Sequence, residues 1–396
     1  MTLPVLIAGG GIGGLATALA LSRDGLPVTV LEQATAFADL GAGIQLGPNA
    51  VRLLDGWGLG LGLRNVAAQP QQLRVRDAHD GRPLGRLHLG AAMRQRYGHD
   101  YLCAHRADLH TLLLGAARQA GASIVPGFAI KKVAESQGNT WARGINDSKN
   151  AQNIDGQALI GCDGLWSVVR QHLLHDGPPR PTGHLAYRAL LPRSTVPTGV
   201  PREDISVWLG PRMHVVCYPV RGGEWLNLVA VVHGQLSSGQ TQGWTHTADA
   251  STLLAALPGA HSRLRDLVQA APGWTRWLLH DRPPLLAAAP YVQGRIALLG
   301  DAAHPMRPYL AQGAAMALED AAALAESFRV LPHDVPQALQ RYAAARWRRN
   351  AQVQAKAQRN GRIFHAQGPL RWARNLAMRL GGERLLDTPW LYRGPV

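Results

Sequence analysis

Six residues near the start of the chain, Gly9-Gly10-Gly11-Ile12-Gly13-Gly14, constrain its fold more than any other feature. An apolar run, Leu3 to Ala8, precedes them and reads as a buried parallel strand; Leu15 to Arg23 follows with helical spacing. The loop fits G-x-G-x-x-G in the context that gives the pattern meaning, between a strand and a helix. Gly9 permits the tight turn, Gly11 lets the backbone approach a pyrophosphate, and Gly14 lets the helix pack closely on the strand, with the helix N-terminus aimed at the phosphates. Leu26 to Glu32 reads as the second strand, completing a βαβ start. Glu32, 18 residues after Gly14, can accept hydrogen bonds from an adenosine ribose and disfavours a 2′-phosphate there. The competing reading, a glycine-rich turn beside a surface glutamate, leaves the joint presence of strand, helix and acid unexplained. The motif does not separate NAD from FAD.

The same N-terminal stretch does not read as a signal peptide: no Lys or Arg precedes it, and five closely spaced glycines interrupt it. No other run is apolar enough to span a bilayer. Three widely spaced cysteines, Cys103, Cys162 and Cys217, form no CxxC and no Cys/His ligand spacing, so neither a disulfide framework nor a zinc site is expected and a cytoplasmic setting fits. The charge balance is strongly basic, 41 Lys plus Arg against 26 Asp plus Glu. Such a field favours anions: nucleic acid, an acidic membrane, or small anionic ligands. Nucleic-acid binders carry clustered basic patches with interleaved aromatics or a known module, and the first 330 residues show neither. No nucleic-acid partner is therefore expected.

Farther along, residues from about 70 to 95 lose the α/β pattern. Arg106 to Ala120 resumes helical periodicity, and Gln157 to Cys162 resembles another buried strand. Between about 176 and 285 the texture becomes strand-rich: Ile205 to Leu209, Met213 to Val220 and Trp225 to Val232 are separated by Gly- and Pro-containing turns. After Arg295 comes an apolar strand, Ile296 to Leu299, ending in Gly300-Asp301-Ala302-Ala303-His304-Pro305, and then Gln312-Gly313-Ala314-Ala315-Met316 opens an Ala-rich helix. Ligands of doubly wound folds collect beyond strand C-termini, so Asp301 can meet a ribityl or ribose hydroxyl. The amides of Gly313 and Ala314 can stabilise negative charge on a reduced flavin. The predicted fold is α/β: a Rossmann-like cofactor domain (1–70, 96–175 and 286–330) interleaved with a β-sheet substrate domain (71–95 and 176–285), followed by a helical C-terminal tail (331–396).

Taken in order, the glycine loop with Glu32, the segment Cys162-Asp163-Gly164-Leu165-Trp166-Ser167-Val168-Val169-Arg170, and the Gly300–Pro305 motif resemble the single-component flavoprotein aromatic hydroxylases, a group that includes salicylate hydroxylase, 3-hydroxybenzoate 6-hydroxylase and 6-hydroxynicotinate 3-monooxygenase. Gly41-Ala42-Gly43-Ile44-Gln45-Leu46-Gly47-Pro48-Asn49-Ala50 and His105-Arg106-Ala107-Asp108-Leu109 are weaker echoes. The resemblance implies bound FAD, contacted by Gln45, Arg106, Asp163 and Asp301, and a transient NADH or NADPH. It places Pro305 near the oxygen-reacting face of the flavin, and it implies oxygen transfer from a flavin hydroperoxide to a small aromatic ring, a hydroxybenzoate-type acid foremost. Read from residues alone, Asp163 and Arg170 are an ordinary turn acid and a helix cation. The chain lacks a second glycine-rich βαβ unit for a resident nicotinamide, in keeping with a reductant that visits and leaves.

For the substrate side, His214 and Tyr218 stand four apart on one strand, hence on one face, with backbones about 13 Å apart at ~3.3 Å per residue. They can flank one ring across an apolar wall at Val216. Without the resemblance they read as satisfied sheet residues. Arg307 faces either a substrate carboxylate or solvent. The segment His184-Leu185-Ala186-Tyr187-Arg188 borders the pocket or the flavin channel. The Arg-rich tail reads as a solvated helix face with apolar residues inward, or as a homodimer contact. Rival readings are hydroxylation of hydroxynicotinate, urate or an antibiotic on the same scaffold and, more distantly, a basic nucleotide-sensing or nucleic-acid-binding protein.

Overall fold

The computed structural model describes residues 2–37, 42–136, 138–235 and 246–394; Gly41 of the Gly41–Ala50 echo lies outside them. Val5–Ala8, almost without exposed surface, is the inner strand of a six-stranded sheet. It runs parallel to Val28–Leu31 on one side and to Ala158–Gly161 on the other. Ser123–Val125 and Ile296–Leu298 extend the parallel array, and Val292–Gln293 closes one edge antiparallel. An uninterrupted apolar strand is what such a position demands, because both faces are covered. The helix begins at Ile12, earlier than its apolar spacing suggests, because Gly13 and Gly14 form its first turn. It packs between the helices Arg106–Gln119 and Gly313–Val330. The approach is close: a Cβ on Gly13 would sit 3.3 Å from that of Ala317.

A second sheet has eight strands. Met213–Val220 and Trp225–His233 lie at its middle, antiparallel, and Arg180–Pro192 and Trp274–Asp281 continue it outward. One face carries Met213, Val215, Cys217, Leu226 and Leu228 against Leu253, Leu264 and Leu267 of two covering helices. Period two then turns His214, Val216 and Tyr218 the other way, towards the first sheet. Tyr218 and Val216 belong to the larger core that includes Val5 and Leu299. The join is direct. Gly43 N, on a two-stranded ribbon formed by Gly43–Leu46 and Leu102–His105, donates to Asn227 Oδ1 at 2.8 Å. A Cβ on Gly43 would come within 2.6 Å of the Tyr218 ring.

Two stretches fill in what the sequence pattern left undefined. Residues 70–95 contain the strands Gln72–Asp77 and Pro83–His88, which extend the second sheet beside Ile205–Gly210. Their arginines hide the alternation; Arg74 is satisfied by Asp204 Oδ2 at 2.7 Å. The strands Ala129–Ser136, Asn139–Ile145 and Ala151–Gly156 form a separate antiparallel meander, rich in polar residues because much of it is exposed.

The tail is helical, as its composition predicts, but not all its cations are solvated. Arg346 and Arg374 are only 1% and 6% exposed. Among the described residues, no helix is long and apolar enough to cross a membrane.

The glycine loop supplies a stability test. A Cβ on Gly14 would lie 1.9 Å from Gly9 O and 3.3 Å from Ile7 Cγ2, where backbone cannot give way. Gly14→Ala is expected to lose about 1–3 kcal/mol or more through overpacking, read as a lower urea midpoint whether or not cofactor is present.

Candidate active site

Beyond the C-terminal ends of the parallel strands lies a cleft of about 630 Å³. Gly9, Gly11, Glu32, Arg106, Asp163, Asp301, Gly313 and Ala314 all line it. Eight residues named from sequence, drawn from five separate segments, thus share one cavity. Gly9 takes φ +97°, and a Cβ there would strike Cys162 O at 2.6 Å. Gly11 is different: a Cβ would meet only Arg106 Nη2, at 3.8 Å. Among the described residues nothing requires glycine at position 11, so the free space belongs to whatever fills the cleft. Gly313 repeats the pattern, with Asp301 Oδ1 its nearest neighbour at 3.9 Å. Each of these glycines sits at the N-terminus of a helix, Ile12–Arg23 and Gly313–Val330, where unpaired amides favour anions.

The acids of the cleft are held in different ways. Glu32 Oε2 accepts from Gly10 N at 2.6 Å and Oε1 from Ala34 N at 2.8 Å, which fixes the carboxylate at the rim. Asp301 is exposed into the cleft. Asp163 accepts from Ser167 Oγ at 2.5 Å and from Val168 N at 2.7 Å, so its carboxylate caps the helix Val168–Leu174. Arg170 is wholly buried and donates to Ala302 O at 2.9 Å and Ala303 O at 2.8 Å. The "helix cation" is therefore the brace that ties the Cys162–Arg170 segment to the Gly300–Pro305 loop. Two of the predicted cofactor-binding residues do not line the cleft. Gly14 lies beneath it, and Gln45 is buried with Oε1 accepting from Tyr101 OH at 2.8 Å; its neighbour Ile44 reaches the wall instead.

A second brace fixes the same loop. Asp320 has no exposure; its Oδ2 accepts from His304 Nε2 at 2.5 Å and Gly300 N at 3.1 Å, and its Oδ1 from Arg346 Nε at 2.7 Å and Asn350 Nδ2 at 3.0 Å. Burial alone would raise its pKa, but His304 and Arg346 hold it well below the ordinary carboxylate range. Glu319 extends the network to Arg349 at 2.6 Å and to Asn49 at 2.9 Å. Local pattern gives Glu319 and Asp320 no task, because Arg349 and Asn350, which meet them, lie 30 positions away on another helix.

The second sheet forms the floor of the remaining space. A smaller cavity of about 230 Å³ shares Leu165, Trp166 and Asp301 with the cleft and is lined by Trp277, Leu279 and Pro305. His214 and Tyr218 do share a sheet face, but neither lines this cavity. Tyr218 is buried against Gly43, and His214 Nδ1 lies 2.8 Å from His365 Nε2. Between them the floor is more open: Val216 pairs in register with Val229, which pairs with Arg188, and all three are half-buried. Burial and nearby His184 push the His214 imidazole down to about 3, so the ring is neutral.

Arg307 meets neither a free carboxylate nor solvent as its main partner. Its Nε donates to Asp281 Oδ2 at 2.6 Å. Arg188 is the better-placed cation. It stands on the floor in cation–π contact with the Trp277 ring, 5.6 Å from its centroid, and burial lowers its pKa. No carboxylate pairs with it among the described residues. Sequence reasoning gave Arg188 little weight because the strand pattern does not say which cations already have partners.

The residues present fit a flavin dinucleotide: two glycine cradles at helix N-termini, a fixed glutamate at one end, and an exposed aspartate at the other. Comparison with known proteins agrees. Residues 2–357 match the family described as FAD binding domain. The chain is 40% identical over 394 residues to 3-hydroxybenzoate 6-hydroxylase of Polaromonas naphthalenivorans, covering 98% of this chain and 96% of that protein. It is 35% identical to 6-hydroxynicotinate 3-monooxygenase of Bordetella bronchiseptica, covering 82% of each. Among solved structures, Klebsiella pneumoniae HpxO complexed with FAD and uric acid superposes with a TM-score of 0.84 at 25% identity, covering 99% of this chain and 97% of that one.

Two outcomes are expected. Gly11→Val should fold with a melting temperature near that of wild-type apoprotein yet release no FAD on denaturation, because its side chain projects only into the cleft. Arg346→Met should lose about 3–5 kcal/mol by stranding Asp320 and Glu319. A depressed folded-state pKa means that Asp320 adds stability above its unfolded value of 3.8 and loses it as pH falls below that. Urea midpoints measured from pH 7 down to 3 should therefore fall less steeply in the variant.

Proposed function

The chain belongs to the FAD-binding-domain family and is an FAD-dependent aromatic monooxygenase, and from this premise we propose that its substrate is a hydroxybenzoate-type acid, held over Val216 and Val229 between His214 and Tyr218. Bound FAD, reduced by NADH or NADPH, supplies the activation of O2. The chain's own residues hold the cofactor, hold the ring and keep water away. Gly11, Glu32, Arg106, Asp301, Gly313 and Ala314 would hold FAD, and Pro305 would bound the space where the ring meets it.

The observation that carries the acid is Arg188, a half-buried guanidinium on the floor with an aromatic neighbour and no carboxylate paired to it among the described residues. Even half-buried, a cation of this kind is costly to leave without an anion to complete it. The paired Arg307 can add a further contact only by sharing Asp281.

His214 supports a phenolic ring. If its Nδ1–H is given to His365 Nε2, its Nε2 presents a lone pair to the substrate hydroxyl. A phenol whose hydrogen bond is drawn to that lone pair is richer in electrons at the ring positions that receive oxygen. Tyr218, whose pKa burial raises, stays a neutral donor at the other end of the floor. Naming these side chains as the orienting pair keeps them out of cofactor binding, so their loss should leave FAD in place.

The test is product formed per NAD(P)H consumed across a panel of hydroxybenzoates, their decarboxylated phenols and hydroxynicotinate, with peroxide measured in parallel. Wild type should couple best on a hydroxybenzoate. His214→Ala and Tyr218→Phe should retain FAD, slow hydroxylation by about 10²-fold or more, and divert electrons to peroxide. Arg188→Gln should raise KM for the acids by about 10- to 100-fold and leave the phenols unaffected. Equal loss on acids and phenols would remove Arg188 as the carboxylate partner, and best coupling on hydroxynicotinate would transfer the assignment to that heteroaromatic acid.

A further inference from the structure

Four histidines gather where the second sheet meets the end of the long C-terminal helix. His184 and His233 are register partners on adjacent strands, with ring centroids 4.4 Å apart. His365 caps the helix Val335–Phe364, and its ring lies 5.2 Å from His184, 5.1 Å from His233 and 5.1 Å from His214. Nothing in the FAD cleft or the smaller cavity involves the first three, since none of them lines either space.

The nitrogen inventory is unusual for a cluster that serves packing alone. One ligating atom from each of His184, His233 and His365 can be chosen so that all lie within 4.8 Å of one another. His184 Nδ1 donates to Thr182 O at 2.9 Å, which fixes the tautomer and leaves Nε2 with its lone pair. His365 Nε2 is taken by His214, while its Nδ1 is buried without a hydrogen-bond partner among the described residues. A backbone carbonyl behind one imidazole and a second imidazole behind another is the outer-sphere arrangement that orients histidines on a metal. The exposed His233 gives access from solvent.

We propose that His184, His233 and His365 form a three-histidine site for a borderline divalent cation of the zinc class, with His365 ligating through Nδ1. Imidazole is the ligand such ions prefer, and three of them leave a fourth position for water. Zn–N bonds of about 2.0–2.1 Å in tetrahedral geometry need N···N separations of about 3.3–3.4 Å, so the rings close by at most about 1.5 Å. Burial favours the neutral rings that ligation needs: it lowers His184 to about 4 and also lowers His233 and His365.

Occupancy has a consequence at the substrate floor, and this part rests on the proposed role of His214. Metal on His365 Nδ1 leaves the proton on its Nε2, which must then donate to His214 Nδ1. His214 is driven to the tautomer that carries its proton on Nε2 and loses the lone pair offered to the phenol. Zinc therefore acts as an inhibitor that uncouples the enzyme without touching FAD.

The experiment uses the FAD-loaded enzyme freed of metal by chelation. Calorimetry with Zn2+ should give one equivalent per chain, and Co2+ should give the intense visible bands of a low-coordinate site in a difference spectrum, displaced by Zn2+. His184→Ala and His233→Ala should each weaken binding by more than about 100-fold, beyond the loss typical of an outer-sphere change, with flavin absorbance and melting temperature unchanged. Unchanged affinity in the His184→Ala/His233→Ala double variant would mean ordinary surface histidines and overturn the site. Absence of both the heat and the cobalt bands would do the same. In turnover, Zn2+ should lower product per NAD(P)H in wild type and not in His233→Ala. Metal binding with coupling unchanged would overturn the tautomer link to His214 alone, whereas loss of hydroxybenzoate turnover without metal would bear only on the substrate assignment.

Discussion

Asp320 cannot be buried alone. A carboxylate with no exposure must be met by donors from every side, and here they come from a loop, a neighbouring histidine and the long C-terminal helix. The position of the Gly300–Pro305 loop follows from that requirement, since Gly300 and His304 are two of the donors. Asp301 is carried between them and left facing the cleft. Arg170 completes the enclosure from the opposite side by holding Ala302 O and Ala303 O. Such buried ionic networks stabilise poorly compared with apolar packing, and they tolerate the loss of a partner worse still. What this one provides is a single allowed geometry for a loop that lies against both the cofactor cleft and the smaller cavity.

The same economy governs the seam between the sheets. Gly43 gives its amide to Asn227 and leaves room for Tyr218, so one residue sets both the distance and the register between the ribbon and the floor. Tyr218 and Gln45 are buried near this seam, which is why neither opens onto the main cleft although sequence reading grouped them with the site.

Much of this was legible in the sequence because the glycine loop, Glu32, Asp163 and Asp301 are each adjacent to an apolar strand, and local pattern finds strands that are buried on both faces. Met213–Val220 was bounded correctly for a related reason, its turns being marked by Gly, Pro and Arg. The meander of residues 129–156 escaped because it buries little, so its strands keep a polar composition. The partners of Asp320, Arg307 and His214 escaped for another reason. Ion pairing across 26 positions for Arg346 and for Arg307, or an imidazole contact across 151 for His365, leaves no trace in spacing. Sequence identified which cations were present and could not say which were already spoken for.

Asp77 shows what such distant pairing means in time. It is 2% exposed, and its carboxylate accepts from Arg371 at 2.8 Å and from Asn375 at 2.8 Å, roughly three hundred positions later. Its strand also waits for Ile205–Gly210 to pair with. On a ribosome the N-terminal part therefore emerges with a sheet edge unmatched until residues 205–210 are made, and with an acid that has only the nearby His79 N–H until the last helices bring Arg371 and Asn375. Long-range closure of this kind is slow and leaves sticky intermediates. A truncation that removes Arg371 and Asn375 therefore leaves the Asp77 carboxylate, near the other end of the chain, without its side-chain partners.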